Sequence, residues 1–184
     1  MQPTADVPSQ ADPTIGVPSR DALDRHFCRL TDQGHHALRG GDAEQAERCF
    51  LGALDEAERV FREAEVGSGV ASLLAPMLLT VGCRNLAAAR ERSGDGSGAR
   101  AHLSMAVERL LDAAENAGHP PVLRIACVRH LRYALGFLAE GGGELSVAMV
   151  ERFAPRTKTV AAQVMRVASL CRSPAMQAPT GRFS

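Results

Sequence analysis

Tryptophan is absent from this chain, tyrosine occurs once, and aromatic residues make up only 4% of it. A β-sandwich core or a surface that stacks nucleic-acid bases needs more rings than that. Paired cysteines are also missing: Cys28, Cys49, Cys83, Cys127 and Cys171 stand singly, with no C-x-x-C. An odd, unclustered set argues against a disulfide framework and for reduced thiols in a cytoplasm, used as small core residues. No apolar run reaches the ~18 residues of a membrane span, and the polar, Pro-rich N-terminus is unlike a signal peptide. The histidines show no H-E-x-x-H or other ligand spacing; His35 and His36 are adjacent and point to different helix faces, so no metal is expected. Glycine-rich phosphate loops, a G-K-[ST] triplet, a nucleophile elbow and carboxylate pairs with a reason to split their pKa values are all wanting. The reading is therefore a protein that is not an enzyme and carries no cofactor. Charge of one sign is lacking as well, 21 basic against 21 acidic residues, which excludes a polycation built for nucleic acid.

What the chain has is Leu and Ala, at helical spacing, with glycine punctuation. Residues 1–18 carry Pro3, Pro8, Pro13 and Pro18 on a five-residue rhythm and are expected to be a disordered arm, either an inert tail or a docking peptide. Ser19 can cap a first helix over about 20–39, with Ala22, Leu23, Phe27, Leu30, Gly34, Ala37 and Leu38 on its apolar face. Gly40-Gly41 breaks it. Asp42 with Gln45 predicts a capping box for a second helix over about 43–66, which buries Ala46, Phe50, Ala53, Leu54, Ala57, Val60, Phe61 and Ala64. A third, over about 70–92, places Leu73, Leu74, Met77, Leu78, Val81, Leu86 and Ala89 inward, with Pro76 kinking it or marking its true first turn. The S-G-D-G-S-G run at 93–98 has neither a preceding strand nor a Lys, so it reads as a turn in which Asp95 or Ser97 caps the fourth helix, about 98–117. That helix buries Ala99, Leu103, Ala106, Val107, Leu110 and Ala114. Pro120-Pro121 starts the fifth, about 121–140, which buries Val122, Ile125, Val128, Leu131, Leu135 and Leu138. A sixth begins near Glu144 with Leu145, Ala148, Met149 and Phe153 and stops at Pro155; a last helix over about 157–172 turns Val160, Val164, Val167, Ala168 and Cys171 to one side. The domain thus runs 19–172, followed by a flexible tail over 173–184.

Residues 30–57, LTDQGHHALRGGDAEQAERCFLGALDEA, are the best organised stretch. Gly34, then Ala46, Phe50 and Ala53, resembles the tetratricopeptide repeat (TPR), in which a Gly is followed by A-x3-F-x2-A. Overlaying the turns gives three units. Gly34, Ala87 and Gly136 fall in register; Ala46, Ala99 and Ala148 follow, then Phe50, Leu103 and Arg152, then Ala53, Ala106 and Pro155, with Asp42, Asp95 and Glu144 in the turns. The third unit departs from the pattern at Arg152 and Pro155, and the spacing is 53 and then 49 residues, longer than the standard repeat. The resemblance implies an all-α fold, an antiparallel helical-hairpin array or TPR-like α-solenoid of about six long helices plus a C-terminal capping helix. A generic helical bundle built on the same small residues is the other reading.

In arrays of this family the first helix of each hairpin lines a concave surface. Helices 20–39, 70–92 and 121–139 together carry a formal charge of +6, the outer helix 42–66 carries −5, and residues 152–184 hold six basic groups and no acid. A basic concavity attracts acidic partners, and Arg suits a bidentate carboxylate grip. The resemblance places candidate partner-binding residues beside the register positions: Thr31 and His35; Arg84 with Asn85; Arg129, Tyr133 and Phe137. The alternative is that these arginines are ordinary solvated helix surface. The expected function is a cytoplasmic, bacterial-type adaptor or chaperone-like scaffold that binds another protein through an acidic or extended peptide segment, without nucleic acid or membrane. A regulatory or assembly subunit, homodimeric through its C-terminal helix, is the second expectation.

Overall fold

Two turns, built alike, set the architecture. The computed structural model describes residues 20–67, 69–141 and 143–172; the expected arm over 1–18, the Ser19 cap and the tail over 173–184 lie outside the described residues. Those described form an all-α chain: α1 (Arg20–Arg39), α2 (Ala43–Val66), α3 (Val70–Arg92), α4 (Gly96–Glu115), α5 (Pro121–Glu140) and α6 (Gly143–Arg172). After α1, Asp42 N–H donates to the Ala37 carbonyl and Gly41 N–H to that of Leu38; after α3, Asp95 N–H donates to Arg90 and Gly94 N–H to Glu91. This is a Schellman ending, and it needs a left-handed residue, which Gly41 (φ 84°) and Gly94 (φ 85°) supply. Each aspartate then caps the next helix, accepting the N–H of Gln45 or Gly98 at 2.8 Å. The expected capping box is only half made. Asp42 N–H is already spent on Ala37, and the Gln45 side chain turns instead to Cys49 and Arg48.

The third turn corrects the sequence register. α6 starts at Gly143, so the residue matching Ala46 and Ala99, the fourth of its helix, is Ser146 and not Ala148. Ala134, Ser146 and Phe153 are buried and Val150 partly so, whereas Gly136, Ala148, Arg152 and Pro155 are exposed. The pattern of the first two units thus continues two residues earlier than expected, with Val150 in the place of Phe50. The separate capping helix over 157–172 is also corrected: α6 is one helix through Pro155. A proline removes a single helical N–H, and the Thr157 and Thr159 hydroxyls donate to the Phe153 and Pro155 carbonyls in the adjoining turn. Pro76 likewise sits inside α3, where buried Thr80 donates to its carbonyl at 2.6 Å.

Each helix packs on the next, α3 also touches α1 and α5, and α4 touches α6. Gly34 and Leu30 meet Phe50 and Gly52, and Arg90 and Gly82 meet Glu47 and Leu54, so numbers on successive helices run in opposite senses. Between alternate helices they run in the same sense: Ser104, Glu108 and Asp112 of α4 meet Met149, Arg152 and Arg156 of α6. The core is α2 with α3 and α4. All eight residues expected inward on α2, and all six on α4, are buried. α3 is enclosed on several sides and is long and apolar enough by composition to cross a membrane, but most of it lies in this interior. Of the expected core, Leu73, Met77, Val122, Leu145 and Val167 are exposed instead. Cys49, Cys83 and Cys127 are buried as expected, while Cys28 is exposed.

Arg109 locks α4 to α2. Its guanidinium donates twice to Glu65, at 2.7 and 2.9 Å, lies 3.6 Å from Glu58 and stacks over the Phe61 ring at 4.5 Å. The hydrogen bond from Arg109, against the opposing effect of burial, holds the Glu65 carboxyl below the ordinary 4.5. A depressed carboxylate contributes stability above its unfolded pKa and loses it as pH falls through the folded one. Replacing Arg109 by Met should destabilise the protein by roughly 2 kcal/mol at pH 7, less than the cost of breaking a fully buried pair because these side chains keep some exposure. The gap between wild type and R109M in urea unfolding should be constant down to about pH 5 and shrink below about pH 4. A gap unchanged at low pH would assign the loss to packing on Phe61 rather than charge.

The glycines test the corrected register. A Cβ on Gly34 would lie 2.7 Å from Cδ1 and Cζ of the buried Phe50 ring, whereas one on Gly136 meets nothing within 4 Å. Gly34→Ala should cost about 1–2 kcal/mol, overpacking outweighing the ~1 kcal/mol of helix propensity gained. Gly136→Ala should stabilise by up to ~1 kcal/mol. Midpoint shifts of the same sign in the two variants would contradict the two-residue offset.

Candidate functional site

α3 is too apolar for one face. Val70, Leu73, Met77, Val81 and Arg84 follow each other at three- and four-residue steps, so they share a stripe; on α5 Arg129, Tyr133 and Phe137 do the same, with Val122 two turns before Arg129. Leu73 is 53% exposed and Tyr133 45%, with Val70, Met77 and Val122 also open to solvent. The two stripes meet in a cleft. One hollow of about 250 Å³ is lined by Met77, Thr80 and Val81 from α3 and by His130, Tyr133 and Phe137 from α5. A second, of about 210 Å³, also bounded by Phe137, is lined by Arg84, Ala87, Ala88 and Glu91 of α3, Leu103 of α4, Glu140 at the end of α5 and Gly141 just after it. A wider hollow of about 670 Å³ lies at the first turn, where Asp42 and Gln45 are already engaged in the cap.

Of the residues nominated from the sequence, Arg84, Tyr133 and Phe137 line this cleft, and Arg129 is exposed one helical turn before Tyr133. Thr31, His35 and Asn85 do not line it. The His35 ring meets Phe50 edge-on, 5.2 Å between centroids. Asn85 is buried and Thr31 half-buried, and Asn85 Nδ2 and Thr31 Oγ1 have no hydrogen-bond partner among the described residues. Met77, Thr80, Val81 and His130 were missed as site residues. The signal for the first and third was the width of the apolar band on α3, read as core because its second side could not be assigned to a neighbour.

The basic character of the inner helices is narrower than the formal count. Arg92 donates to the Leu38 carbonyl at 3.1 Å and Arg124 Nε to that of Ala114 at 2.9 Å, each satisfying a last-turn carbonyl of a neighbouring helix. Arg90 is held by Glu47 at 3.1 Å and lies 3.7 Å from Asp95. These three serve the scaffold. Arg84 stacks over the Phe137 ring at 4.5 Å and reaches Glu140 at 3.5 Å, an acid one residue past the 121–139 count. Arg132 stacks over Tyr133 at 4.5 Å and donates to its hydroxyl. Arg129 has no ion pair among the described residues. Burial, then the charge of Arg132, holds His130 below the ordinary 6.5, so the ring beside Tyr133 is neutral at pH 7. The cleft is therefore apolar and aromatic between Met77 and Phe137, with Arg84, Glu91 and Glu140 lining its far part and Arg129 and Arg132 exposed beside it.

Elsewhere, each carboxyl with a shifted pKa is pushed down: Glu56, Glu65 and Glu115 by arginines, Asp95 by the Gly98 N–H. Burial pushes the thiols of Cys83 and Cys127 up to about 12, far from a nucleophile's range. Among the described residues no three His, Cys, Asp or Glu side chains gather closely enough to hold a metal ion.

No curated protein and no solved structure matches the chain. A family model does, over residues 26–163, a span that reaches from α1 well into α6 and takes in both faces of the cleft. The chain belongs to that family, described as "Protein of unknown function (DUF2753)".

Proposed function

We propose that this protein is a non-catalytic scaffold, adaptor or chaperone-like, that grips an extended acidic segment of another protein in the α3–α5 cleft. The observation that carries the proposal is the unpartnered apolar stripe, Leu73, Met77 and Tyr133, flanked on the same faces by Arg84, Arg129 and Arg132. Large side chains left in water beside arginine–aromatic stacks form a preorganised surface, the kind that holds a peptide by a few anchors. In this reading the helices form a TPR-like antiparallel hairpin array. The repeated Gly-Asp turns, the opposite sense of successive helices and the common sense of α1, α3 and α5 support it. Those three helices then face the concave side, where the cleft opens. Lowered carboxyls and inert thiols favour binding over catalysis, and buried unpaired cysteines favour a reducing cytoplasm. A second reading, self-assembly through the C-terminal helix, draws on Met165 and Val167, which are exposed on α6 beside Arg166.

An array of acidic, basic and neutral peptides, probed with the purified chain, tests the main reading. Acidic peptides with apolar anchors should be retained, and retention should fall with salt. The double variant R84E/R129E should lose at least about tenfold in affinity, since reversed rim charges now repel the ligand. Tyr133→Ala should lose a similar factor at any salt, with helical circular dichroism unchanged in both. Equal retention of all peptide classes, or variants that bind like wild type, would overturn the cleft as the binding site.

A further inference from the structure

The chain carries a segment whose chemistry matches its own cleft. We propose that residues 1–19, which lead into α1, occupy the α3–α5 cleft as an internal ligand that an external peptide must displace. This rests on the reading of the cleft as a peptide site.

Three features of the molecule converge on it. The first is chemistry. The segment holds Asp6 and Asp12 and no Lys or Arg, and it spaces four prolines evenly among Val7, Ile15 and Val17. Proline-rich, extended chain docks on aromatic-walled slots because it has little conformational entropy to lose. The walls here are Tyr133, Phe137 and the neutral ring of His130, with Met77 opposite. Arg129 and Arg132 stand on the same helix for the two aspartates, and Arg129 has no other ion pair among the described residues. The sign matters: a basic segment would be repelled there.

The second feature is placement. α1, α3 and α5 run in one sense, so the point where residue 19 joins α1 lies at the same end of the molecule as the starts of α3 and α5. The exposed side chains Val70, Leu73 and Val122 sit at that end and lead toward the cleft. Met77 and His130 are about ten residues or fewer up their helices, roughly 15 Å from the end at 1.5 Å per residue. The third is reach. Helix axes pack ~8–10 Å apart, so α5 is on the order of 20 Å from α1. Nineteen residues of extended chain cover about 60 Å. The segment can cross the gap and still lay most of its length along the stripe.

A tethered ligand of this length faces the cleft at an effective concentration near millimolar, enough to compete with weak external peptides. The consequence is selectivity by displacement. Peptides must exceed the segment's own affinity, and the apolar stripe is covered when no partner is bound.

Tyr133 is the chain's only tyrosine and there is no tryptophan, so tyrosine fluorescence reports on the cleft alone. Quenching by acrylamide is to be compared between the full chain and the full-chain variants D6K/D12K and I15S/V17S, over a range of protein concentrations. Both variants should expose Tyr133 to quencher, and a synthetic peptide of residues 1–19 added to either should restore protection saturably. External acidic peptides should bind the variants roughly tenfold more tightly than wild type, as expected if the segment fills about nine-tenths of the clefts. Equal quenching in wild type and variants, with no binding of the added segment, overturns the proposal. If external acidic peptides still protect Tyr133 in that case, the cleft stands as a peptide site and only its internal ligand is lost; if nothing protects Tyr133, both fall. Protection that grows with protein concentration places a second copy, not the chain's own segment, over the cleft, and overturns the internal arrangement.

Discussion

Close approach of helices through small side chains is the constraint on which the rest of this structure depends. With few aromatic residues, the chain cannot fill wide gaps between helices, so it narrows them. Ala46, Ala53, Ala57 and Ala64 on α2 are all but fully buried, as are Ala99, Ala106, Ala113 and Ala114 on α4. Where a large side chain does enter, its neighbour yields: Phe50 fills the space a Cβ on Gly34 would need, and Leu54 lies against Gly82. Dense packing of this kind transfers little strain-relieving freedom to side chains, so the helix directions are fixed by backbone contact. The cleft between α3 and α5 is then a consequence. There the spacing is set by larger groups, Met77, Tyr133 and Phe137, which do not fill it.

The turns and the polar clamps work to the same end. A left-handed glycine followed by a capping aspartate ends one helix and starts the next within a few residues, which leaves no slack between neighbours. Arginines then satisfy carbonyls and carboxylates across helices, from Arg92 of α3, which donates to the Leu38 carbonyl of α1, to Arg156, which holds Asp112 and Glu115 at 2.7 and 2.6 Å. Each of these bonds removes a cation from the pool available to a ligand. Net charge by helix therefore overstates the positive potential of a surface. What remains for the proposed binding is Arg132, stacked on Tyr133, Arg84, whose approach to Glu140 is long and open, and Arg129, which has no ion pair among the described residues.

How much of this was legible in the sequence depends on how local the cause was. The faces of α2 and α4 were readable because a single 3.6-residue period separates a packed side from a solvated one. Asp42, Asp95 and Pro121 were readable because caps act within one turn. The third repeat was misplaced because three consecutive glycines left the helix start undefined, and Glu144 was taken for the turn acid when α6 had already begun at Gly143. Pro155 was overweighted: a proline deletes one hydrogen bond, and a helix held on one side by α4 and α5 tolerates that loss. On α3 the difficulty was different in kind. Its apolar band is too wide for periodicity to say which edge meets a neighbour and which meets water, so Met77 was read as core and His130 was not read at all. The roles of Arg90, Arg92 and Arg124 were beyond reach because their partners are not neighbours on their own helices.

The division between aromatic-stacked and acid-paired arginines has a functional logic. A guanidinium over a ring keeps its charge and most of its donors outward while its flat face is buried, so it is oriented without being neutralised. Arg132 on Tyr133 meets that description; Arg84 on Phe137 does so in part, its other contact being a 3.5 Å approach to Glu140 where both side chains are about half exposed or more. An ion pair that open is worth little and is readily exchanged for a competing carboxylate. Arg84 is thus held near a carboxylate it can release, and under the proposed function Glu140 fixes its position until a ligand binds. By contrast Arg109, with Glu65 and Glu58 around it, cannot be released without leaving two partly buried acids short of their partner. Under the proposed function the same residue type is a clamp on α4 and a grip for the ligand on α3 and α5, and the exposure of its partner decides which.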